Sequence, residues 1–576
     1  MTVDGVVVPE RRRDRRPHRP VAAGRPRPHV VVALAAALVA VVVYLPGLGN
    51  GFAYDDVPLL LGDPRVRPPY AWGEIFTRPY WYVAGDEHAL YRPLATASFA
   101  LDWVVSGAAP AWAHAVNLVL HAVSAALVAL LLCELVPPSA ALGGALLFAI
   151  HPVHVEAVAN VAGRAELLAA AFFLGACVLW LRRRRDGGVG PRALGAALLG
   201  TAAIFSKESA VMLPAVLLLL DRVVERGDGR ETTVTACVRG RSGELALVLI
   251  GPVLFIVART AVVGLHSPTV VHPAAEGLTG AGPRLLTALQ AWPEYARLLF
   301  FPRTLLIDYG PQVVGPATSW NIPAGVGLLL LASLLGLGAV ATARGRWFMA
   351  LALLWFPVTV FPVSNLAMTI GVLVAERTLY VPSVALSIAV AGVLARLGAS
   401  RAILTRRIAW VALGGVILAF SARTLQRTPE WESTERIFRA QVRDRPDSYR
   451  GHWYLGRLER ANGNVERAAE HFAEALRLWP YRRGLVLEAA TFAIERQRIG
   501  EARDLAAFAT RQWPTSVEAF RLLAATSLDL GDTVTARVAV RDGLRLDPGD
   551  ELLNSMRDVL RNTDLEIGDS KDDDAR

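Results

Sequence analysis

The chain is poor in cysteine, in charge and in several familiar catalytic signatures. Its 576 residues hold three cysteines, Cys133, Cys177 and Cys237. They stand far apart and form no C-x-x-C, which excludes a disulfide framework and a thiolate zinc site. Only 19% of the residues are charged, where a soluble globular chain carries about 25%. With a mean hydropathy of +0.37, that shortage excludes an ordinary cytosolic enzyme. No His-Glu-x-x-His marks a zinc protease, and no Gly-rich loop marks a nucleotide site. The net charge of +9 is no case for nucleic acid. Much of it sits in residues 1–28, where eight Arg face Asp4, Glu10 and Asp14. A basic segment before an apolar run reads as a positive-inside flank.

Hydrophobic residues, by contrast, make up 53% of the chain and fall in long blocks from Val30 to about Ala422. The first block, Val30–Leu48, carries no charge over its 19 residues. That is the length of a bilayer-spanning helix and exceeds a signal-peptide core. Further spans are expected at Trp112–Val136, Ala140–Ile150, Leu167–Leu181, Ala193–Phe205, Ala210–Leu220 and Glu244–Val257. Ile322–Ala341, Trp347–Phe361, Val381–Leu397 and Ile408–Ala422 complete eleven. Arg182–Arg185, then Arg222, Arg226, Arg230, Arg239 and Arg241, and later Arg344, Arg346, Arg401, Arg406 and Arg407 all fall on the cytoplasmic side of this arrangement. Leu285–Phe301 is apolar but contains Pro293, Glu294 and Arg297. Reading it as an interfacial or re-entrant helix keeps the later Arg clusters cytoplasmic, so eleven spans are preferred to twelve.

Past Arg427 the composition becomes charged and amphipathic, with a period. Ala468, Ala502 and Ala536 are 34 residues apart, and so are Pro480, Pro514 and Pro548. Ala475, Ala509 and Gly543 keep the same step. The first copy also has Leu455-Gly456, Gly463 and Phe472, the tetratricopeptide pattern. The middle copy lacks the Leu-Gly pair. The half copy ending at Pro446 and the helix Glu551–Arg561 are expected to cap the stack.

Polar residues interrupt the apolar blocks at four places on the expected outer face, where charge is costly and marks function. Tyr54-Asp55-Asp56 follows the first span. Adjacent carboxylates suit a general base with an orienting or sugar-binding neighbour, and equally a solvated loop. His151-Pro-Val-His154-Val-Glu156 precedes Arg164 and Glu166. Three readings of it are open: a metal site of His151, His154 and Glu156, packing around a polar donor site, or plain structure. Arg164 suits phosphate, because a guanidinium binds two phosphate oxygens at once. Ser206-Lys207-Glu208 reads either as an interfacial ion pair or as a phosphate or sugar contact. Glu376-Arg377 precedes Tyr380, and Tyr91-Arg92-Pro93 adds another Arg in the first outer loop, residues 49–107. Such an array suits an anionic lipid-phosphate donor and a polar acceptor.

Taken together, YDD, YRP, HPVHVEAVANVAGRAELL, SKE and AERTLYVPS, then a tetratricopeptide tail, resemble the transmembrane and tetratricopeptide-repeat-containing O-mannosyltransferases. These belong to the polytopic glycosyltransferases that use polyprenyl-phosphate sugars. The likeness runs from Asn50 to about Pro548. It implies an all-α fold, with a C-type glycosyltransferase-like membrane domain followed by a tetratricopeptide α-solenoid. It also implies catalysis at Asp55 and Asp56, and repeats on the same side as the first outer loop. The Arg- and Ala-rich composition looks bacterial, which favours an undecaprenyl carrier. The tail holds about three repeats, fewer than many eukaryotic members carry.

The expected organisation is a disordered basic tail at 1–28, a membrane domain at 29–426, a repeat domain at 427–562 with core copies at about 448–548, and a disordered acidic tail at 563–576. The leading reading is a glycosyltransferase of the inner (cytoplasmic) membrane, with its amino terminus in the cytoplasm and its repeats outside. It moves a hexose from a polyprenyl-phosphate donor to protein Ser or Thr hydroxyls, the repeats binding the acceptor. Asp55 and Asp56 would carry the chemistry. Arg92, His151, His154, Glu156, Arg164, Lys207, Glu208, Glu376 and Arg377 would bind the donor phosphate or sugar. No cofactor is firmly implied; the co-substrate is the lipid-linked sugar, and a divalent metal is open but unsupported. The rival reading is a membrane-anchored scaffold whose buried charges serve helix packing. A transporter fits less well, because the charges cluster at one face and not at the midplane.

Overall fold

A computed structural model of the chain describes residues 28–82, 90–186, 189–227, 238–264, 280–367 and 370–561. The basic amino-terminal segment before Pro28, Arg230, Cys237 and the acidic tail from residue 562 lie outside the described residues. Helices account for the fold, with no strand among the described residues. Several start on proline, at Pro28, Pro110, Pro138 and Pro191. Proline suits a first turn, because its fixed φ is helical and its missing N–H would have had no partner there.

Among the described residues six helices are long and apolar enough to cross a bilayer: Pro28–Gly49, Pro110–Cys133, Val161–Arg182, Ser242–Val263, Ile322–Ala343 and Ile403–Glu432. A seventh crossing is possible if Pro138–Ile150 and Pro152–Ala159, bent by 47°, act as one span. This is a multi-pass membrane protein, but with fewer full-length spans than the eleven expected. Pro191–Ser206, Trp347–Val360 and Val384–Gly398 hold only 16, 14 and 15 residues. A helix of 16 residues reaches about 24 Å, against a hydrocarbon core of about 30 Å. Apolar runs overstate span number here because polar turns cut them. Leu285–Phe301 is divided between Ala281–Leu289 and Ala291–Phe300, each far too short to cross.

The first helix shows how the bundle is held. Ala33, Ala36, Ala40 and Val43 are buried and share one face, packed against Pro110–Cys133 and Pro138–Ile150. Small side chains let backbones approach, the usual route to helix association in lipid. Leu34, Leu38 and Val42 point outward and are exposed, as are Val253, Ile256 and Val257 of Ser242–Val263 and Val411 and Leu418 of Ile403–Arg427. Such apolar belts would be costly in water and are expected against lipid tails. Gly144 is required at its crossing, since a β-carbon there would strike the carbonyl of Ser387 and the side chain of Ala391.

After Arg427 the chain forms helical hairpins. Their first helices start at Tyr449, Arg483 and Val517, and their second at Val465, Ile499 and Thr533. Both series keep the 34-residue step of the sequence. Ala468, Ala502 and Ala536 are fully buried between partners. The middle copy replaces the Leu-Gly pair with Ala489 and Ala490, which are also buried.

This tail packs directly on the loop after the first helix. Asn50 Nδ2 donates to the Thr428 carbonyl at 3.0 Å, and the Gly51 N–H to the Glu432 carbonyl at 3.0 Å. The Tyr54 N–H donates to Thr434 Oγ1 at 2.9 Å. The Tyr54 ring meets Phe438 and Tyr454 edge-on, at 5.4 and 5.3 Å between centroids. A second attachment joins Arg450 to Asp308 at 2.9 Å and Gln441 Nε2 to the Asp308 carbonyl at 2.9 Å.

Candidate functional site

The turns that interrupt the apolar helices meet at one end of the bundle. Tyr54 adopts a left-handed φ of 51°, an uncommon conformation for a tyrosine, and its contacts with the tail hold it there. The two carboxylates that follow have different surroundings. Asp56 is fully buried, its Oδ2 accepting from the Ala53 N–H at 3.1 Å and its Oδ1 from the Ala162 N–H at 2.7 Å. Burial pushes its pKa up to about 7, against the pull of the Ala162 and Ala53 N–H groups. Asp56 therefore ties the first loop to the turn at 160–163. That turn needs glycine at 163, where a β-carbon would strike the backbone of Ala157.

Asp55 is partly open, its side chain 18% exposed, with Oδ2 3.8 Å from Arg377 Nη1. Burial raises its pKa and the positive charge of Arg377 opposes the rise. Arg377 is held from beneath by Glu156. Its backbone N–H donates to Glu156 Oε2 at 2.8 Å and its guanidinium pairs with Oε1. Glu156 is enclosed, while Arg377 keeps 24% of its side chain open. Beside them Arg92 grips Glu208 through two bonds, Nε to Oε2 at 2.9 Å and Nη2 to Oε1 at 2.5 Å. These side chains are 14% and 36% exposed. Burial would raise the Glu208 pKa, but Arg92 outweighs it and brings it down to about 2. Deeper in, Lys207 pairs with Glu166, both buried. Glu166 in turn lines a cleft with Phe173, Ser209, Thr359, Thr378 and Val381.

Six charged residues expected at the site therefore converge: Asp55, Arg92, Glu156, Lys207, Glu208 and Arg377. Others are placed elsewhere or turned away. Arg164 is fully buried, its guanidinium bound by Asn117 Oδ1 at 2.8 Å, the Ala113 carbonyl at 2.8 Å and Asp102. It braces helices, with its fork already filled, where a phosphate ligand was expected. Glu376 points away from its neighbour Arg377. Its Oε1 accepts from the Leu306 N–H at 2.6 Å and from the Tyr309 hydroxyl at 2.8 Å. Burial pushes its pKa up to about 7, with Arg427 opposing.

The two histidines are likewise internal. His151 Nε2 lies 3.0 Å from the Leu299 carbonyl, and its Nδ1 accepts from the Val153 N–H at 3.2 Å. His154 Nε2 lies 2.8 Å from Ser383 Oγ. Glu156 is committed to Arg377, so the three do not form the ligand set considered for a metal. Among the described residues no three of His, Cys, Asp and Glu gather in a metal-holding group.

Asp102, Asn117 and Tyr80 are part of this end of the bundle and were not singled out from the sequence. Asp102 carried a signal, a single acid inside the apolar run SFALDWVV. Asn117 and Tyr80 carried none.

No family model matches the chain. It is similar to protein O-mannosyl-transferase TMTC3 of Homo sapiens, 29% identical over 466 residues that cover 76% of this chain and 50% of that protein. Protein O-mannosyl-transferase TMTC1 of Homo sapiens is 30% identical over 481 residues, covering 76% and 54%. Protein O-mannosyl-transferase F38B6.6 of Caenorhabditis elegans is 26% identical over 448 residues, covering 76% and 61%. The chain thus spans between half and about three fifths of the length of these curated relatives. With the YDD, YRP, SKE and AERT segments gathered at one end of a multi-pass bundle, the resemblance seen in the sequence holds, and the chain is a homologue of the protein O-mannosyl-transferases.

Proposed function

We propose that this protein is a membrane glycosyltransferase that moves a sugar, mannose by its likeness to its relatives, from a polyprenyl-phosphate donor to Ser or Thr hydroxyls of proteins. The observation that carries the reading is the setting of Asp55: a partly open carboxylate on a strained turn, beside Arg377 and the Arg92–Glu208 pair. Asp55 accepts the proton of the acceptor hydroxyl as that oxygen bonds to the anomeric carbon. The bond from that carbon to the phosphate oxygen breaks, and its electron pair leaves with the lipid phosphate. Arg377 and Arg92 are the partly open cations available to that charge, with Lys207 behind them. Fixed cations favour the transition state because charge grows on the leaving group as it departs. Burial makes Asp55 more basic than a free carboxylate, and the positive charge of Arg377 opposes that rise in favour of the ionised form. Asp56 acts by position, holding the loop that presents Asp55.

The cleft beside Glu166 joins polar groups to the apolar faces of Phe173 and Val381, which suits the head and first isoprene units of a lipid donor. Arg182, Arg183, Arg222 and Arg241 lie at the other end of the helices, where Arg183 bonds Asp221 and Glu244. By the positive-inside tendency that end is cytoplasmic. The site and the tail packed on it then face the extracytoplasmic side of the inner membrane. On this reading the helical tail is a tetratricopeptide solenoid that holds protein acceptors near Asp55.

The test is transfer of labelled mannose from polyprenyl-phosphate mannose to Ser- and Thr-containing peptides. Asp55→Asn should fold normally and lose about 10²–10⁴-fold in rate, the usual contribution of a positioned base. A purified Asp55→Asn protein with wild-type turnover would remove Asp55 from the chemistry. A wild type inactive with every polyprenyl-phosphate sugar would leave the anchored scaffold as the better account.

A further inference from the structure

Several buried polar atoms near the site, His154 Nδ1 and Asn160 Nδ2 among them, have no partner among the described residues, and the Tyr80 hydroxyl is the one whose ring lies against Arg92. The Tyr80 side chain is buried, 3% exposed, yet its hydroxyl has no hydrogen-bond partner among the described residues. Tyr80 belongs to a buried cluster with Leu59, Leu60, Ile75, Ala95 and Phe99, and the Arg92 guanidinium lies 5.2 Å from its ring centre. Buried hydroxyls are almost always bonded, because leaving one unmade forfeits its hydration without return. A chain that needed only packing here would do better with phenylalanine.

The residue is also fixed from several sides. The Tyr80 N–H donates to the Leu90 carbonyl at 2.7 Å. Arg65, itself buried and paired with Asp63 at 2.6 Å, donates to the Pro79 carbonyl at 2.9 Å and the Tyr80 carbonyl at 3.3 Å. Three backbone bonds therefore set where the ring stands, and none uses its hydroxyl. The charges acting most strongly on that hydroxyl are those of Arg92, Asp55, Arg377 and Asp56. Burial drives its pKa well up, so at neutral pH it remains a protonated donor. A fixed, buried donor without an acceptor among the described residues, beside Arg92, has the form of a preorganised ligand contact.

We infer that Tyr80 is a substrate-binding residue whose hydroxyl donates a hydrogen bond to an oxygen of the sugar-phosphate head group, beside Arg92. This rests on the transferase reading above and deepens it. The bond forms only when donor is bound, so the free protein carries the unsatisfied hydroxyl and the complex does not.

Tyr80→Phe separates this from a structural role, because it removes one oxygen and no packing. Purified wild type and variant are compared in detergent by thermal unfolding, with and without polyprenyl-phosphate mannose, and by transfer kinetics. The variant should unfold at the same or a higher temperature than wild type. It should be stabilised less by the donor, and lose about 10- to 100-fold in kcat/KM, the range expected for one hydrogen bond to a charged group. Wild-type kinetics and donor response in Tyr80→Phe would overturn the assignment while leaving the transferase reading intact. A fall in activity matched by a fall in unfolding temperature of the free protein would also overturn it, in favour of a packing role. A wild type neither active nor stabilised by any polyprenyl-phosphate sugar would overturn both readings at once.

Discussion

The two halves of the chain use charge in opposite ways. In the tail, pairs such as Arg436–Glu432, Arg439–Glu435 and Arg541–Asp542 link neighbours along one helix or adjacent residues, and their side chains are largely exposed. In the membrane half, Arg65–Asp63, Arg164–Asp102, Arg183–Asp221 and Lys207–Glu166 are buried, and all but the first join segments far apart in sequence. Exposed pairs contribute about 0–1 kcal/mol, because water screens the attraction and ordering long side chains costs entropy. A buried pair gives little net stability over an apolar substitute, but losing one partner strands a charge in a low dielectric. Position rather than strength separates the two sets. Arg164–Asp102 and Lys207–Glu166 tie together segments at the site's end of the bundle, while Arg183–Asp221 braces the other end, so two of the buried pairs bear on the geometry of the site.

The comparison breaks first at Arg164. Arg164→Gln leaves Asp102 without its partner inside the bundle, at an expected cost of about 3–5 kcal/mol. Thermal unfolding in detergent measures it. A change below about 1 kcal/mol would mean that water reaches this site and that the two halves do not differ in kind. The double variant Arg164→Gln with Asp102→Asn should recover part of the loss, since no charge is then stranded.

The next largest effect concerns where the halves meet. Ending the chain at Arg427 removes Thr434, Phe438 and Tyr454, which hold Tyr54 in its left-handed conformation. A displacement of about 1 Å in a catalytic group can cost about 10²-fold, and a loss of that order is expected even on short peptides. Ending the chain at Pro480 keeps those contacts and removes the later hairpins. Short peptides should then be used at near wild-type efficiency and long protein acceptors less well, because tethering no longer raises their local concentration. Equal rates from both shortened chains on short peptides would show that the first hairpin does not shape the Asp55 loop.

How much of this could be read beforehand follows the same division. The tail was legible because its helical hairpins repeat at a fixed step, so small residues recur every 34 positions where helices touch. The polar interruptions of the membrane half were legible too, because charge inside an apolar run is costly and needs a reason. Their partners were not. Nothing local to Arg164 tells that Asp102, 62 residues earlier, fills its fork. Nothing in Asp55-Asp56 tells which carboxylate stays partly open, since that depends on the φ of Tyr54 and on the Ala162 N–H that donates to Asp56. Span number failed for a related reason. The polar turns that assemble the site at 151, 207 and 376 also end helices early, so an apolar run is longer than the helix it supplies. Tyr80 left no trace, because an orphaned hydroxyl is defined by what is missing around it.

The smallest expected effect is the sharpest check on position against strength. Glu432 lies at the junction and takes part in two interactions of different kinds. Its side chain pairs with Arg436 on the surface, both about half exposed, while its carbonyl accepts the Gly51 N–H at 3.0 Å. Glu432→Ala removes the surface pair and leaves the carbonyl where it is. The pair is an i,i+4 contact in water, worth about 0.3–0.5 kcal/mol, and alanine at this position does not disturb the following cap, which Ser433 supplies through its hydroxyl at 3.2 Å from the Arg436 N–H. Stability should change by no more than about 0.5 kcal/mol, and transfer should be unaffected, although the residue touches the loop that presents Asp55. A loss of activity from Glu432→Ala would show that surface charge in the tail does tune the site. The two halves would then be coupled through side-chain electrostatics as well as through the backbone and ring contacts around Tyr54.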